Sequence, residues 1–399
     1  MNVTAAVPSV AVPTVAAPEL PPLSLYIHVP WCVRKCPYCD FNSHALQGEL
    51  PEVAYVERLL GDLDAELEDV RDRPIATVFL GGGTPSLLSP GAVARILDGL
   101  AARVRFAADV EITLEANPGS AEAGRFAGFR AAGVNRLSIG VQSFDAGALA
   151  RLGRIHDGNE ARRAIALAQE AGFRRLNVDL MHGLPAQTTA MATSDLRTAL
   201  ALGVDHLSWY QLTIEPNTAF HARPPLLPVE EALGEIEDDG FAVLEAAGLS
   251  RYEVSAWARS DQACRHNLNY WRFGDYLGLG PGAHGKLTRP SSQAPGGLSI
   301  VRTRRSRMPR DWFAGDAAPR RLLAEIPEAE RTAEFMLNAL RLRDGVEETL
   351  FTSRTGIDVQ RIAATLAALR SEGLMQQHRL AVTRLGARFL DRVVARFLD

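Results

Sequence analysis

From residue 24 the chain alternates between short apolar runs and longer stretches where apolar residues recur every three or four positions. The runs at 25–29, 77–80, 110–114, 136–141, 176–180 and 206–213 have the length and composition of strands. Between them, Val53, Val56, Leu59, Leu60, Leu63, Leu67 and Val70 form one stripe, predicting a helix over 53–70. A second helix over 159–171 should stop at Gly172, a residue suited to a left-handed cap. Six β-then-α units predict a parallel sheet with right-handed crossovers. Nearly continuous apolar strands suit a sheet covered on both faces. The expected fold is α/β, a partial (β/α)6 barrel whose chemistry gathers at the strand C-terminal ends.

After Thr213 the alternation fails. Pro216, Pro224, Pro225 and Pro228 mark a break before a helix over 230–247 and a strand-like run over 252–258. A polar-aromatic segment, 264–285, comes next. Residues 286–319 carry Pro-Ser-Ser, Pro-Gly-Gly and Arg302, Arg304, Arg305, Arg307 and Arg310. With a net charge of −4, that arginine run reads as a solvated linker rather than a nucleic-acid patch. The remainder reads as helices with a hairpin near 376–382, a small α+β unit like a winged helix. The expected organisation is a disordered leader over 1–22, the barrel over 23–215, an extension and linker over 216–319, and the winged-helix-like domain over 320–399.

Composition narrows the class. Acidic and basic residues nearly balance, 47 against 43, so the overall field draws the chain to neither nucleic acid nor an anionic membrane. No apolar run approaches the roughly 20 residues of a membrane span, which leaves only peripheral membrane contact. The first 22 residues carry no Lys or Arg, so the basic start of a secretory signal is missing. Three of the four cysteines are clustered, which argues against a disulfide framework and for a reducing, cytoplasmic location.

Those three are Cys32, Cys36 and Cys39, spaced C-x3-C-x2-C directly after the first strand. The fourth, Cys264, is far away. Three thiolates wrap one face of a metal cluster but cannot close a four-ligand site, and a cubane held this way keeps one iron open. A zinc site completed by His28 or His44 is the competing reading. Other polar groups fall at strand ends: Gly81-Gly82-Gly83-Thr84-Pro85, Glu115, Gln142, Asp179 and, after the fourth strand, Arg154. Singly each is an ordinary loop hydrogen-bonder. Together, beside three thiolates, they predict a polar ligand site.

The segments Tyr26-Ile27-His28-Val29-Pro30-Trp31-Cys32, Gly-Gly-Gly-Thr-Pro, Ser-Ile-Gly-Val-Gln-Ser-Phe and Asp-Leu-Met-His-Gly-Leu-Pro-Ala-Gln-Thr resemble the radical S-adenosylmethionine proteins. Within them the chain resembles the coproporphyrinogen-dehydrogenase branch, over roughly 24–399. The resemblance implies that Cys32, Cys36 and Cys39 hold a [4Fe–4S] cluster whose open iron is chelated by S-adenosylmethionine. It implies a cofactor pocket lined by Tyr26, Tyr38, Gly82, Gly83, Thr84, Glu115, Gln142, Arg154, Asp179 and Thr213. Arg154 would take the methionyl carboxylate and the acids the ribose hydroxyls.

Decarboxylating members extend the motif to C-x3-C-x2-C-x-C, whereas Phe41 stands at the last position here. His266-Asn267-Leu268-Asn269-Tyr270-Trp271 is similar to the haem-binding H-N-x-x-Y-W motif of a haem-chaperone branch, followed by Gly282-Ala283-His284-Gly285. That likeness implies His266 as a haem ligand, because imidazole ligates haem iron and aromatic faces pack on porphyrins. His284 is a second candidate, and Cys264 is a small buried residue with thiolate ligation as the alternative. The implied protein binds haem and delivers it to acceptor proteins, with no catalytic residue assigned and a homodimer left open. The alternative is an oxygen-independent coproporphyrinogen oxidase, which abstracts hydrogen from propionate side chains.

Overall fold

The computed structural model describes residues 19–70, 72–119, 124–314 and 322–398. Residues 1–18 of the expected leader and the expected boundary at 319–320 lie outside them. The leading strand, β1 (Leu23–Val29), buries Leu23, Leu25, Ile27 and Val29 as well as Ser24 and His28, so both of its faces are covered. The same double burial recurs in β2 (Ile75–Gly82), β3 (Phe106–Ala116), β4 (Arg136–Gln142), β5 (Arg175–His182) and β6 (His206–Gln211). These six run parallel, side by side in chain order, as the alternating pattern predicts. Helix Glu52–Asp64 covers them with Tyr55, Val56, Leu59 and Leu63, and helix Pro90–Ala101 with Val93, Ile96 and Leu100. Each such side chain contributes about 1.5–3 kcal/mol on burial.

Several boundaries differ from the sequence reading. The stripe over 53–70 is split into Glu52–Asp64 and Leu67–Val70. At the break, Glu66 turns its carboxylate to Arg305 at 2.8 Å. The run at 252–258 folds back on itself as β7 (Ser250–Glu253) and β8 (Ala256–Ala258), an antiparallel pair on the edge of β6. The helix ending before Gly172 is present as Gly158–Glu170, opened by a capping box between Asp157 and Glu160, and Gly172 has φ +86°.

The largest correction concerns residues 286–319. Part of the expected solvated linker, residues 286–290 and 298–304, is sheet: β9 (Asp275–Leu279) pairs parallel with the free side of β1, and β10 (His284–Pro290), β11 (Leu298–Arg304) and β12 (Leu322–Glu325) extend it antiparallel. The result is one twelve-stranded sheet, ordered β12-β11-β10-β9-β1-β2-β3-β4-β5-β6-β8-β7. The charges that suggest solvent are paired inside it. Arg305 is buried against Asp62 at 3.0 Å and Glu66, and Lys286 is buried against Asp275 at 2.8 Å. Arg304, Arg307 and Arg310 stay exposed, as a solvated run should.

A second apolar core gathers Phe335, Phe351, Leu366 and Leu369 from the C-terminal helices and Leu380 from the segment after them, with Ile300 from the sheet and Phe273 from the turn before β9. The expected hairpin near 376–382 is a single antiparallel bridge, Met375 to Val382. Among the described residues no helix is long and apolar enough to cross a membrane.

Candidate functional site

The cysteines occupy a loop tied at several points. Trp31–Cys32 and His44–Ala45 form a short parallel ladder that closes its base. Lys35 Nζ crosses the loop to donate to the carbonyls of Phe41 (3.0 Å) and Ser43 (3.2 Å). Cys32, Cys36 and Cys39 are therefore presented from one small ring, partly exposed and unbridged. Cys264 stands apart at the start of helix Arg265–Trp271, its Sγ 3.6 Å from Glu111 Oε1. Burial pushes its thiol up to about 11, so it stays protonated at neutral pH.

The strand ends are joined to this loop by one chain of hydrogen bonds. Asn117 Nδ2 donates to Thr84 Oγ1 (2.9 Å), and Arg154 Nη2 donates to Asn117 Oδ1 (2.7 Å) and the Gly140 carbonyl (2.8 Å). Arg154 Nη1 then reaches Cys36 Sγ at 3.4 Å. Arg154 Nε is buried without a partner, a donor that an anionic group would satisfy.

The floor is polar and tightly built. Gly82 has φ +109°, and a Cβ there would lie 2.5 Å from the His28 ring, so only glycine lets β2 end this close. Tyr26 Oη donates to His28 Nδ1 (2.9 Å), and His28 Nε2 donates to the Asn42 carbonyl (2.9 Å). Glu115 accepts from the Gly82 N–H at 3.1 Å. Burial, reinforced by the charge of Asp179, raises its carboxyl to about 8, so it is protonated at neutral pH. Asp179 is raised as well, chiefly by burial, and accepts from Ser138 Oγ and Asn177 Nδ2. Gln142 adopts φ 70°, a conformation uncommon for a side-chain-bearing residue, and accepts from Tyr210 Oη at 2.8 Å. Tyr38 packs near Phe220 with ring centroids 6.3 Å apart. Thr213 lies past the end of β6 and is exposed, while Gly83 closes the turn against the carbonyl of Val29.

Of these groups Tyr26, His28, Gly82 and Glu115 border a chamber of about 790 Å³, a size typical of small-molecule sites, whereas the three cysteines, Tyr38, Gly83, Thr84, Gln142, Arg154, Asp179 and Thr213 are not on its surface. Tyr26, Gly82 and Glu115 form one wall; Phe41, His284, Arg304 and Arg307 form the other. His266 is not on its surface. Its ring is 1% exposed, stacked on Phe79 (4.9 Å) and set edge-on to Tyr270 (4.9 Å), which does line the chamber. Thr77 Oγ1, itself donating to Ser24, sits 2.6 Å from His266 Nδ1, so Nδ1 carries the proton. Nε2 is left as a buried lone pair without a partner, and burial lowers the ring to about 3. Asn117 and Asn42 join the site although sequence reasoning assigned them no role there, each following a motif residue closely, and His28, weighed there only as a zinc ligand, instead links Tyr26 to the Asn42 carbonyl.

A parallel partial barrel with a three-cysteine loop and a glycine-lined polar pocket at its strand ends defines a radical S-adenosylmethionine protein. The Radical SAM superfamily model matches residues 26–198, and the HemN C-terminal domain model matches 326–389. The heme chaperone HemW of Escherichia coli (strain K12) is 49% identical over 95% of this chain and 99% of its own. The heme chaperone HemW of Mycobacterium tuberculosis is 35% identical over 94% of this chain and 95% of its own. Among solved structures, coproporphyrinogen III oxidase (HemN) from Escherichia coli superposes with a TM-score of 0.78, at 22% identity, over 95% of this chain and 90% of the other. The chain belongs to the HemW heme chaperone family.

Proposed function

We propose that this protein is a haem chaperone: it receives haem in the chamber beside the cysteine loop and passes it to acceptor proteins. The observation that carries this is the chamber's construction, in which an aromatic and arginine-bearing wall faces the cofactor wall across one continuous space. Phe41, 58% exposed, turns an apolar ring into it at the position where decarboxylating relatives place another cysteine.

The residues present fit two resident cofactors. Three soft thiols on one tied loop suit a [4Fe–4S] cluster with one open iron. The unpartnered Arg154 Nε and the two protonatable carboxyls suit S-adenosylmethionine, which brings a carboxylate and ribose hydroxyls. Tyr26, Tyr38, Gly82, Gly83, Thr84, Gln142 and Thr213 complete the assigned pocket. When bound, the cluster supplies one-electron chemistry. Arg154 would orient the methionyl carboxylate while its guanidinium holds against Cys36 Sγ at 3.4 Å. His266 is assigned as a haem-iron ligand: its protonated Nδ1 and free Nε2 are the tautomer a metal needs, and Tyr270 must move for iron to reach it. Three clustered thiols that must stay reduced to hold a cluster support a reducing, cytoplasmic location.

The test is anaerobic. The cluster is reconstituted and haem and coproporphyrinogen are added separately, following the Soret band and porphyrin products. Haem uptake and transfer to an apo-acceptor without porphyrin turnover is expected. Decarboxylation of coproporphyrinogen overturns the reading.

A further inference from the structure

His284 and Arg304 lie directly opposite each other on the antiparallel ladder of β10 and β11. Opposed residues on such a ladder present their side chains to the same face, with Cβ atoms about 4.5–5.5 Å apart. Both line the chamber, and both are exposed to it. Arg307 joins them from the loop that follows β11, where Asn42 Oδ1 takes only its Nε, at 3.2 Å. Neither Arg304 nor Arg307 has a carboxylate partner among the described residues, whereas their neighbour Arg305 is consumed by Asp62 and Glu66. Among the described residues the one acid on the chamber's surface is Glu115, on the far wall, where burial keeps its carboxyl neutral at pH 7. The outer wall therefore offers two unneutralised guanidiniums, an accessible imidazole and the exposed ring of Phe41.

That combination matches a flat, apolar, metal-bearing macrocycle with carboxylate arms. Guanidinium pairs with carboxylate through charge-assisted bonds, imidazole nitrogen ligates iron, and an aromatic face packs on the ring. We propose that haem is first captured on this outer wall, with His284 on the iron and Arg304 and Arg307 on the propionates, one aromatic layer away from His266. This inference rests on the haem reading above and deepens it: the capture site is separate from His266, which is screened by Tyr270. Burial and the neighbouring charges of Arg302 and Arg304 lower the His284 ring, which keeps its nitrogen lone pair available at neutral pH.

The experiment uses the full-length, cluster-reconstituted protein and titrates haem, metal-free protoporphyrin and haem dimethyl ester, reading the Soret band and affinity. His284→Ala should shift the Soret band and weaken haem binding about tenfold or more, added imidazole should restore the spectrum, and protoporphyrin binding should be unchanged. Arg304→Glu with Arg307→Glu should weaken haem and protoporphyrin alike by roughly ten- to a hundredfold, the worth of one to two charge-assisted bonds, while leaving the ester unaffected. His266→Ala should retain the His284-dependent capture. Circular dichroism and iron content confirm folding and the cluster in each variant. Haem binding that is lost in His266→Ala and untouched in His284→Ala overturns the capture site and leaves the haem reading standing. Failure of the unsubstituted protein to bind haem at all overturns both.

Discussion

Asn42 and Arg307 hold each other by a reciprocal pair: Asn42 Nδ2 donates to the Arg307 carbonyl at 2.9 Å, and Arg307 Nε donates to Asn42 Oδ1 at 3.2 Å. Asn42, three residues after Cys39 in the chain, also donates to the Pro281 carbonyl at 3.2 Å. Gly282 comes so near that a Cβ there would lie 2.1 Å from Asn42 Nδ2, in a backbone with φ +77°. The cysteine loop and the chamber's outer wall are thus one mechanical unit. If haem binds on that wall and a cluster in the loop, this amide is a direct tie between the two sites.

Asn42→Ala is expected to loosen that unit without unfolding the barrel. Partly exposed hydrogen bonds contribute about 0.5–1.5 kcal/mol each, so the thermal midpoint should fall only modestly. The sharper effect should be faster loss of cluster absorption on exposure to air. Cluster decay identical to that of the unsubstituted protein would break the proposed coupling.

Replacing Cys32, Cys36 or Cys39 by Ala should each abolish the iron–sulfur absorption of the reconstituted protein. Cys264→Ala should leave it intact, since that thiol sits buried against Glu111. A Cys264→Ala protein that folds but takes up no cluster refutes the three-ligand assignment, as does metal analysis returning zinc without iron or sulfide.

Arg154→Ala should weaken S-adenosylmethionine binding by roughly ten- to a hundredfold, the worth of a charge-assisted hydrogen bond of about 1.5–3 kcal/mol. Calorimetry against the cluster-loaded protein reads this directly. Arg154→Lys should recover only part of the loss, because an ammonium cannot hold Asn117, Gly140 and a carboxylate in one plane. Equal affinity in Arg154→Ala removes this residue from the site.

The six parallel strands are legible in the sequence because each carries a short cluster of buried aliphatic residues set between helical stretches, even where polar residues are buried beside them. The extension beyond β1 is not. Asp275 and Lys286 look like surface residues, yet Asp275 accepts from Lys286 Nζ, Arg73 Nη2 and both Thr288 N and Oγ1 inside the sheet. Arg305 likewise meets Glu66, 239 positions earlier, so no local window reveals that its charge is neutralised. The site divides in the same way. Cysteine spacing and glycine turns are local and readable, whereas the burial of His266 depends on Phe79 and Tyr270 packing around it. Thr213, placed at a strand end by pattern, falls beyond β6 because strand boundaries are set by ladder pairing rather than composition.

The Asp275 hub yields a stability prediction. Asp275→Ala leaves the ammonium of Lys286 buried over the Phe273 ring, 4.3 Å from its centroid, with no anion. Removing one partner of a buried pair costs about 3–5 kcal/mol. Urea denaturation should show that loss, and Asp275→Ala combined with Lys286→Met should recover most of it. A single substitution costing under about 1 kcal/mol would mean that solvent reaches Lys286.

Glu115 sets a pH dependence whose sign follows from its raised pKa. Its carboxyl starts from an ordinary value of 4.5 and rises to about 8 in the fold, mainly through burial and then through Asp179. Below pH 4.5 folded and unfolded chains both hold the proton, so Glu115 adds no pH dependence there. Between about 4.5 and 8 the unfolded chain releases the proton while the folded chain keeps it, so stability falls as pH rises. Above about 8 the folded carboxyl ionises too and the slope contributed by this group vanishes. Glu115→Gln keeps the size and the acceptor for Gly82 N–H but cannot ionise. The difference in unfolding free energy between the cofactor-free Gln variant and the parent should therefore grow from pH 5 to pH 8 and then level off, as measured by urea denaturation across that range. A constant difference over the window would show that Glu115 is already ionised in the fold, and that the pocket holds its carboxylate rather than a neutral acid.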